Sequence, residues 1–558
     1  MRAVVVVSVA AVLGMSSLAH AQRWQDATAQ CLGTTDEWTN KVEVADVDGD
    51  GHVDILLANG RGYNTKQTPT EAPRIWKNLA NWSASATHCQ EITTTVVGAF
   101  TGYSRMIKAA DIDGDGDLDI LTGGAWGTQL LLFRNDGATW TDVTASQVPQ
   151  QTTSIGDAEF GDVDGDNDLD IVLVDWGTGN AASNGGGKTM LYRNNGMGTF
   201  TDETTADMPA GLVKWSWDLE LADVDNDFDL DVLVSCKSCT SSLLYRNDGN
   251  GHFADDPNAL PHFGNNYEFE PMDIDGDNDL DLLTINDGTN VTEHVFVNDG
   301  HGMFADGTST MLTGTANPPG ADDNTMVWLD VDNDGDSDVL IGTLGNDRLL
   351  LNDGTGKFTL SAGATPNDTS ATLGVGIADL DEDGRLDLVQ GQGEIAFPDK
   401  VQLGGAMVSF DTQPPVVVAG APVDHVVRAR IHDRVAPSHP HDFTKVVAKL
   451  NGKEIPMTWY GPMMWRGALS LEDGMPTTYQ VCATDRAGNE GCGTYDANGG
   501  PDAGTGGDAG VDPPGDNGGC CSSTRDASGS ILLALGVLAW LTSSGTRRRR
   551  RASRQSSR

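Results

Sequence analysis

Seven copies of one acidic segment, Asp-x-Asp-x-Asp-x-x-x-Asp, are the residues of this chain best suited to chemistry. Each copy places four carboxylates at positions 1, 3, 5 and 9, with a tight turn between them. Oxygen ligands at this spacing suit a hard cation that takes about six to eight oxygens, which indicates calcium as the cofactor. The predicted ligands, loops 1 to 7 in order, are Asp46, Asp48, Asp50 and Asp54; Asp111, Asp113, Asp115 and Asp119; Asp162, Asp164, Asp166 and Asp170; Asp223, Asp225, Asp227 and Asp231; Asp273, Asp275, Asp277 and Asp281; Asp330, Asp332, Asp334 and Asp338; and Asp379, Asp381, Asp383 and Asp387.

Two of these loops depart from the pattern. Position 6 needs a residue that tolerates a positive φ, and six loops have glycine or asparagine there, whereas the fourth has Phe228. The fourth loop is therefore expected to be distorted or weak. The seventh has Glu382 at position 4 and Arg385 at position 7, and a cation beside the site is expected to lower its calcium affinity.

The main alternative for such loops is the EF-hand, which needs flanking helices and a glutamate at position 12. None of the seven loops has glutamate there. The residues at position 12 are Leu57, Thr122, Leu173, Val234, Thr284, Ile341 and Gln390. The EF-hand is therefore excluded.

The segments around the loops have the pattern of β-strands. In the fourth repeat, an alternating strand at 219–222 enters the loop, and apolar runs at 232–234 and 243–246 follow it. Aromatic-led segments such as 200–204 supply a fourth strand, and the loops recur at intervals of 49 to 65 residues, the spacing of one supersecondary unit per repeat. Four short strands in each of seven repeats predict an all-β fold, a seven-bladed β-propeller.

Hairpin turns of the type Asn-Asp-Gly recur in matching places, as at 135–137 and 298–300. Together with the acidic loops, they resemble the FG-GAP/VCBS repeats of integrin α-chain propellers and many bacterial surface proteins. The resemblance covers about residues 22–410 and implies a calcium-stapled propeller. We expect residues 24–28 to pair into the seventh blade and close the ring, with 407–410 as the competing outer strand.

Other segments define the remaining domains. Residues 1–21 have a charged start, an apolar run and a small-x-small cleavage site, which predicts a signal peptide. Residues 411–415 read as a linker, and 416–496 resemble a bacterial immunoglobulin-like β-sandwich through the motif at 482–489. A flexible Gly/Asp/Pro spacer follows at 497–519.

The segment 520–558 combines cysteines, a short apolar run and an arginine cluster. It resembles the myxobacterial C-terminal sorting tail, which implies that Cys520 and Cys521 mark processing and surface attachment. A plain tail anchor is the alternative. Either reading predicts an exported protein at the bacterial cell surface or outer envelope, tethered to an envelope membrane.

Export favours disulfides among the eight cysteines. Cys31 and Cys89 flank the first repeat, and Cys482 and Cys492 lie near each other in the later domain, although spacing does not fix connectivity. For Cys236 and Cys239 a local structural disulfide is preferred to a redox site, because no βαβ context surrounds them. Three histidines, His432, His439 and His441, suggest either a metal site or, with preference, a solvated loop.

Aromatic residues near the far ends of the strands predict a ligand-binding face opposite the calcium loops. The alternative is that these rings pack between blades, since tryptophan is often largely buried. Exposed aromatics beside polar groups fit a carbohydrate or protein ligand. The residues assigned to this face are Trp38, Tyr103, Trp126, Trp176 and Trp215.

A net charge of −46, with no basic face, excludes nucleic acid as a partner. No phosphate-binding loop or nucleophile elbow is present in the sequence, so no catalytic residue is assigned. The preferred function is a calcium-stabilised surface protein that binds an extracellular carbohydrate or protein in adhesion or recognition. The alternative is a secreted polysaccharide lyase or hydrolase that uses the propeller face, because fold alone does not decide between them.

Overall fold

The computed structural model describes residues 23–62, 65–83, 86–137, 139–177, 185–286, 291–362, 365 and 371–498. The predicted signal peptide and the predicted sorting tail lie outside the described residues, as does most of the spacer. The described chain is mainly β-strand, with a few helical turns. This confirms the all-β prediction.

Seven antiparallel four-stranded sheets repeat along residues 24–404. In sheets 1 to 6 the four strands follow one another along the chain, and each acidic loop joins the first strand of its sheet to the second. The bounds are, in sheet 1, Thr39–Ala45, Asp54–Asn59, Arg74–Asn78 and Cys89–Glu91; in sheet 2, Ser104–Ala110, Asp119–Gly124, Leu131–Asn135 and Trp140–Asp142; in sheet 3, Ile155–Gly161, Asp170–Asp175, Thr189–Asn194 and Phe200–Asp202; in sheet 4, Leu219–Ala222, Asp231–Val234, Leu243–Asn247 and Phe253–Asp255; in sheet 5, Asn266–Met272, Asp281–Asn286, His294–Asn298 and Phe304–Asp306; in sheet 6, Asp323–Leu329, Asp338–Thr343, Arg348–Leu351 and Thr359–Leu360; and in sheet 7, Thr372–Ala378, Asp387–Gln392, Lys400–Gly404 and Trp24–Asp26.

The outer strand of sheet 7 comes from the beginning of the chain. Trp24 pairs with Gly404 and Asp26 with Gln402, which confirms the prediction that the N-terminal segment completes the last repeat. The first strands of neighbouring sheets contact one another in order, and the first strand of sheet 7 contacts that of sheet 1. The seven sheets therefore form a closed ring around an axis lined by their first strands.

Short elements complete the ring. A two-stranded ladder joins Asp36–Glu37 to Phe397–Pro398 beside the seam between sheets 1 and 7. One-turn helices follow five of the outer strands, and the hydroxyl of the threonine that begins each helix accepts a backbone N–H of the third strand in the same sheet. The helices are Thr28–Cys31, Thr93–Val96, Thr144–Gln147, Thr204–Asp207 and Thr308–Met311, with a 3-10 turn at Gly314–Ala316.

Apolar side chains fill the space between neighbouring sheets. The second strand of each sheet is buried almost throughout, as the runs of Ile, Leu and Val after each loop predict. The resulting clusters span neighbouring sheets; one, for example, joins Ile107 and Phe133 of sheet 2 to Leu56 and Ile75 of sheet 1. Burial of these faces requires neighbouring sheets to pack together, so no single repeat has a complete core.

Residues 416–496 form two further four-stranded sheets around one apolar core, here called the C-terminal sandwich. The core includes Val427 and Ile431 from one sheet and Val481 and Ala483 from the other. The first sheet consists of Val416–Ala419, Val426–His432, Met464–Ala468 and Thr458–Gly461, and the second of Lys453–Pro456, Phe443–Leu450, Thr478–Asp485 and Glu490–Asp496, with a 3-10 turn at Pro440–Asp442.

Three disulfides join Cys31 to Cys89, Cys236 to Cys239, and Cys482 to Cys492. The first ties the helix after the N-terminal strand to the outer strand of sheet 1. The second closes a local turn, as predicted, and the third crosses the last hairpin of the sandwich, where Cys482 and Cys492 are cross-strand partners. Within the described residues, no helix has the length and apolar character needed to cross a membrane.

Candidate functional site: the acidic loops and the axis of the ring

All seven acidic loops lie on one face of the closed ring, here called the loop face, because each joins strands 1 and 2 of its sheet. Within a loop the aspartate at position 1 organises the turn. Asp46 accepts hydrogen bonds from the backbone N–H of Asp50 (3.1 Å) and Gly51 (2.8 Å), and Asp111 and Asp273 make the same bonds in their loops. These bonds bring positions 1, 3 and 5 together: in loops 1, 2 and 4 their carboxylate oxygens lie within 4.8 Å of one another.

The aspartate at position 9 opens the second strand and is buried. In loop 1, Asp54 accepts the N–H of Val47 at 3.1 Å and the N–H of Asn78 at 2.7 Å, so it fixes both the loop and the third strand. Desolvation raises the pKa of Asp54 to about 7 and that of Asp170 to about 8, and nearby loop carboxylates add to the shift. A cation bound in the loop would favour the ionised carboxylates and would reverse much of this upward pKa shift.

An asparagine at the end of the third strand links each sheet to its neighbour. Asn247 donates from Nδ2 to the carbonyl of Val163 in loop 3 (2.8 Å) and to that of Leu230 in its own loop (3.1 Å). The sequence pattern around these asparagines indicates only hairpin turns, so this bridge was not predicted. The same bridge to the preceding loop is made by Asn78, Asn135, Asn194, Asn298 and Asn352. In sheet 7 the equivalent residue is Gly404, and the N–H of Ser409 satisfies the loop 6 carbonyl of Val331 instead.

The loop residues fit calcium by their donor chemistry. Every predicted ligand offers carboxylate oxygen, which a hard cation prefers. Several of these oxygens are buried and accept no hydrogen bond, among them Asp113 Oδ1, Asp225 Oδ1 and Asp275 Oδ1. Burying a carboxylate oxygen without a donor is costly, and a bound cation would supply the missing interaction.

In sheets 1 to 4, basic side chains from the third strands lie near the loop carboxylates and would compete with a bound cation for them. Lys77 contacts Asp48 and Asp50, and Arg193 contacts Asp164. Arg246 lies 2.9 Å from Asp225, while Arg134 is 3.9 Å from Asp113. The equivalent residues in sheets 5 to 7 are apolar: Val297, Leu351 and Leu403.

The C-terminal sandwich covers part of the loop face with arginines. Arg466 pairs with Asp162 of loop 3, and Arg430 lies 3.5 Å from Asp223 and donates to Asn226 Oδ1 at 2.9 Å in loop 4. Arg428 lies 3.3 Å from Asp229 in the same loop. Three cations, counting Arg246 from its own sheet, therefore surround loop 4.

Phe228 adopts the positive φ that position 6 requires, at 66°. Loop 4 therefore keeps its turn despite the bulky residue. The sandwich covers the phenyl ring of Phe228 at Gly420. The Phe228 carbonyl accepts a hydrogen bond from the Tyr460 hydroxyl at 2.8 Å. In loop 7, Arg385 lies 2.8 Å from Asp383 and over the ring of Phe410, so it is a cation beside the site, as the sequence indicated.

Charged side chains line the axis of the ring in two layers that the sequence analysis missed. The outer layer, three residues before each loop, is Glu43, Lys108, Glu159, Glu220, Glu270, Val327 and Gly376. The inner layer, five residues before each loop, is Lys41, Met106, Asp157, Asp218, Glu268, Thr325 and Gly374. The two layers could have been found from the sequence, because residues two apart on a strand point to the same side. The positions three and five residues before each loop therefore both face the axis.

The two lysines neutralise only part of this charge. Lys41 lies 3.1 Å from Asp157 and 2.8 Å from Asp218, and Lys108 pairs with Glu159 and lies 4.0 Å from Glu43. Seven carboxyl groups thus share two ammonium groups. Desolvation raises the pKa of Glu159 and of Glu268 to about 8, with neighbouring carboxylates adding to the shift.

The aromatic residues assigned to a ligand face are mostly buried, which corrects the expectation of exposed rings. Trp176 is 2% exposed and Trp215 4%, and both pack with Trp217 at centroid distances of 5.3 and 6.0 Å. Trp126 donates to the Gly62 carbonyl at 2.9 Å, and the buried Tyr103 donates to the Gln67 carbonyl at 2.8 Å.

The contacts of Trp126 and Tyr103 hold the loop between the second and third strands of sheet 1. The rings of Trp176 and Trp215 fill space between sheets, which is the alternative given in the sequence analysis. A large aromatic ring gains more from packing there than from exposure. Trp38 is half-buried beside the first strand of sheet 1. None of the five therefore offers a fully exposed ring.

The histidines of the sandwich do not form a solvated loop. His432 is buried, and desolvation lowers its pKa to about 3, with Arg434 and Arg430 contributing. His439 and His441 stack at 5.0 Å, and His439 Nδ1 lies 3.9 Å from Glu43 on the axis. The prediction of a solvated loop is wrong because this segment lies against the loop face.

Comparison with known proteins supports the repeat assignment. The FG-GAP-like repeat family matches residues 111–173, 180–234, 273–341 and 330–389. The chain therefore carries FG-GAP-like repeats, as the sequence predicts. No curated protein matches the chain.

The chain is also similar to parts of several solved structures. A lectin from Agrocybe aegerita, described as recognising non-reducing terminal N-acetylglucosamine, is 21% identical, with 60% of this chain and 82% of that chain covered and a TM-score of 0.38. An ancestral GH74 enzyme is 11% identical, with 85% and 63% covered and a TM-score of 0.38. The extracellular domain of a hybrid two-component system from B. thetaiotaomicron is 11% identical, with 81% and 67% covered and a TM-score of 0.32. At these TM-scores the similarities carry no statement about ligand or activity.

Proposed function

We propose that this chain is an exported, calcium-stabilised binding protein: a seven-bladed β-propeller over residues 22–410, followed by an immunoglobulin-like sandwich over 416–496. The observation that carries the proposal is the set of seven carboxylate loops gathered on one face of a closed ring, with buried oxygens that lack hydrogen-bond donors. Calcium at these loops would staple the first and second strands of each blade.

Export to an oxidising compartment is supported by the three disulfides. A signal peptide at 1–21 and a tail anchored through Cys520 and Cys521 would place the protein at the bacterial cell surface. In that setting calcium reaches the concentrations of about 10⁻⁴–10⁻³ M at which extracellular modules commonly bind it.

The face opposite the acidic loops is the better candidate for ligand recognition, because the sandwich covers the loop face. Loops on this opposite face carry apolar side chains with substantial exposure: Leu212 is 55% exposed, Leu344 43% and Ile395 47%. Such side chains offer apolar contact area to an extracellular carbohydrate or protein.

The stability part of the proposal is tested by thermal unfolding of the exported chain in EDTA and in calcium. Because calcium binds the native state, mass action should raise Tm steeply with calcium concentration. Magnesium at the same ionic strength is the control, since a site of about six to eight oxygens favours the larger ion. An unchanged Tm in EDTA would refute the calcium assignment.

The recognition part is tested by glycan-array and cell-binding assays of wild type and of Leu212→Ser with Ile395→Ser. We expect binding without product formation, and at least a tenfold loss in the double variant. Leu471→Ser is the matched control, because Leu471 is 83% exposed on the sandwich. Release of unsaturated sugar products would instead establish a polysaccharide lyase.

A further inference from the structure

A cavity of about 640 Å³ lies on the axis of the ring, between the loop face and the C-terminal sandwich. Its floor is the outer axial layer, including Glu43, Glu159, Glu220 and Glu270. Its lining continues to the exposed Gly114 of loop 2, where it meets the protein surface. The volume is that of a small-molecule site and is far larger than a single metal ion needs.

Two of the floor carboxylates, Glu220 and Glu270, have no cation within ion-pair distance, although Lys108 acts on both electrostatically. Lys108 serves Glu159 and Glu43, and Arg466, which also lines the cavity, is paired with Asp162. Among the described residues, no hydrogen bond or ion pair reaches the carboxylate of Glu220 or Glu270. Glu270 is 4% exposed and lines the cavity, so an unpartnered acidic side chain is buried and directed into it.

The electrostatic environment makes these two carboxylates the natural place for a positive charge. Desolvation raises the pKa of Glu270 well above its ordinary value, and Glu268 and Asp218 raise it further. Desolvation also raises the pKa of Glu220, with Glu270 as its strongest charged neighbour. A cation between them would relieve both the desolvation penalty and the mutual repulsion.

The opposite wall of the cavity has a large apolar part. The sandwich contributes Trp459, Pro462 and Met463, beside the polar His439, His441 and Arg466. A hydrated metal ion gains nothing from such a wall, whereas an organic ammonium places its alkyl or aromatic body there and its charge on the floor.

We propose that this axial cavity binds a small organic cation, a primary or secondary amine on an apolar body, with its ammonium group between Glu220 and Glu270. The site is assembled from the ring and the sandwich together, so it depends on the two being docked. Its charged groups are Glu220 and Glu270 rather than the loop ligands, although Asp46, Asp111 and Asp113 of the acidic loops also line the cavity. It does not involve the ligand-binding face opposite the loops.

The proposal is tested by isothermal titration of the intact protein, in saturating calcium, with 1,5-diaminopentane and 2-phenylethylamine. The neutral analogues 1,5-pentanediol and 2-phenylethanol are the ligand controls. We expect at least one amine to bind and its neutral analogue not to bind. Glu220→Gln and Glu270→Gln should each weaken that amine at least tenfold, equivalent to about 1.4 kcal/mol.

Glu472→Gln, an exposed glutamate on the sandwich, is the protein control and should bind as wild type does. The glutamine variants keep the side-chain volume and remove repulsion, so their Tm should equal or exceed that of wild type, which shows that they fold. The proposal is overturned if neither amine binds, if binding survives in both glutamine variants, or if the variants abolish binding of a divalent metal while no amine binds.

Discussion

Loops 2 and 4 both have aspartate at all four predicted ligand positions, but different numbers of basic side chains surround them. One arginine, Arg134, lies 3.9 Å from Asp113 in loop 2, whereas Arg246, Arg428 and Arg430 contact the carboxylates of loop 4. A bound guanidinium must be displaced, or must share its carboxylate, before calcium can enter. We therefore expect loop 4 to bind calcium more weakly than loop 2 because of the charge around it, in addition to the bulky Phe228 at position 6.

We predict that Asp113→Ala removes one equivalent of bound calcium at millimolar calcium and that Asp225→Ala removes much less. The reason is that the loop 4 site starts weaker. Calcium content after dialysis, measured by atomic emission, checks this. Equal losses in the two variants would contradict the role assigned to the three arginines.

The axial acids give the protein a stability that depends on pH. Burial raises the pKa of Glu268 to about 8, Asp218 and Asp157 add to the shift, and Lys41 opposes it. The folded state thus binds this proton more tightly than the unfolded state does. The resulting stabilisation is present below the unfolded pKa and is lost as pH rises toward 8.

We therefore predict that wild-type stability falls between pH 5 and pH 8 and that Glu268→Gln reduces the fall, by up to about 3 kcal/mol. The glutamine keeps an acceptor for the N–H of Met326, which bonds Glu268 at 2.7 Å. Urea unfolding at fixed calcium concentration across this pH range is the measurement. Parallel curves for the two proteins would exclude Glu268 as the titrating group.

At the scale of elements, the asparagine bridges join six of the seven sheets to the loop before them. Asn247 donates to two carbonyls, and its Oδ1 accepts the N–H groups of Gly249 and Gly251. Removing the side chain leaves two buried carbonyls without donors. We predict that Asn247→Ala costs about 1–3 kcal/mol in the free energy of unfolding.

The conservative variant Asn247→Asp separates the two halves of this role, because aspartate keeps the acceptor and loses both donors. It should lose stability as the alanine variant does. Asn258→Ala, an exposed residue in the same sheet region, is the control and should stay within about 0.5 kcal/mol of wild type. Denaturant midpoints measure all three.

The sequence predicted the strands well because period-two patterns, turn residues and acidic loops all have the same phase in every repeat. It also placed residues 24–28 in the last sheet, because their pattern matches other outer strands. The buried Trp176 and Trp215 were misplaced, since an aromatic residue at a strand end has the same sequence pattern whether it is exposed or packed. Arg430 and Arg466 reach the loops only through the docking of the sandwich, which no local pattern encodes.

At the scale of the whole molecule, the ring is closed by a strand from the far end of the chain. Trp24 is 4% exposed and packs into the cluster that includes Leu388 and Val375, while its neighbour Gln25 is exposed. We predict that Trp24→Ala costs about 3–5 kcal/mol and that Gln25→Ala is nearly neutral.

Deleting residues 24–29 should do more than lower Tm, because it exposes the edge of the Lys400–Gly404 strand. An unpaired edge promotes association between copies, so we expect oligomers by size-exclusion chromatography. A monomeric deletion variant with unchanged unfolding would show that the N-terminal strand does not close the ring.

The N-terminal strand also sets the order in which the molecule can be completed. Residues 24–26 leave the ribosome first, yet their partner, 400–404, is synthesised after all the other strands of the ring. Sheets 1 to 6 have every strand available locally as synthesis proceeds, whereas sheet 7 waits for both ends of the ring. Completion of the ring therefore requires the first of these strands to meet the last, and the Cys31–Cys89 bond, once formed in an oxidising compartment, holds the helix after the first strand beside sheet 1.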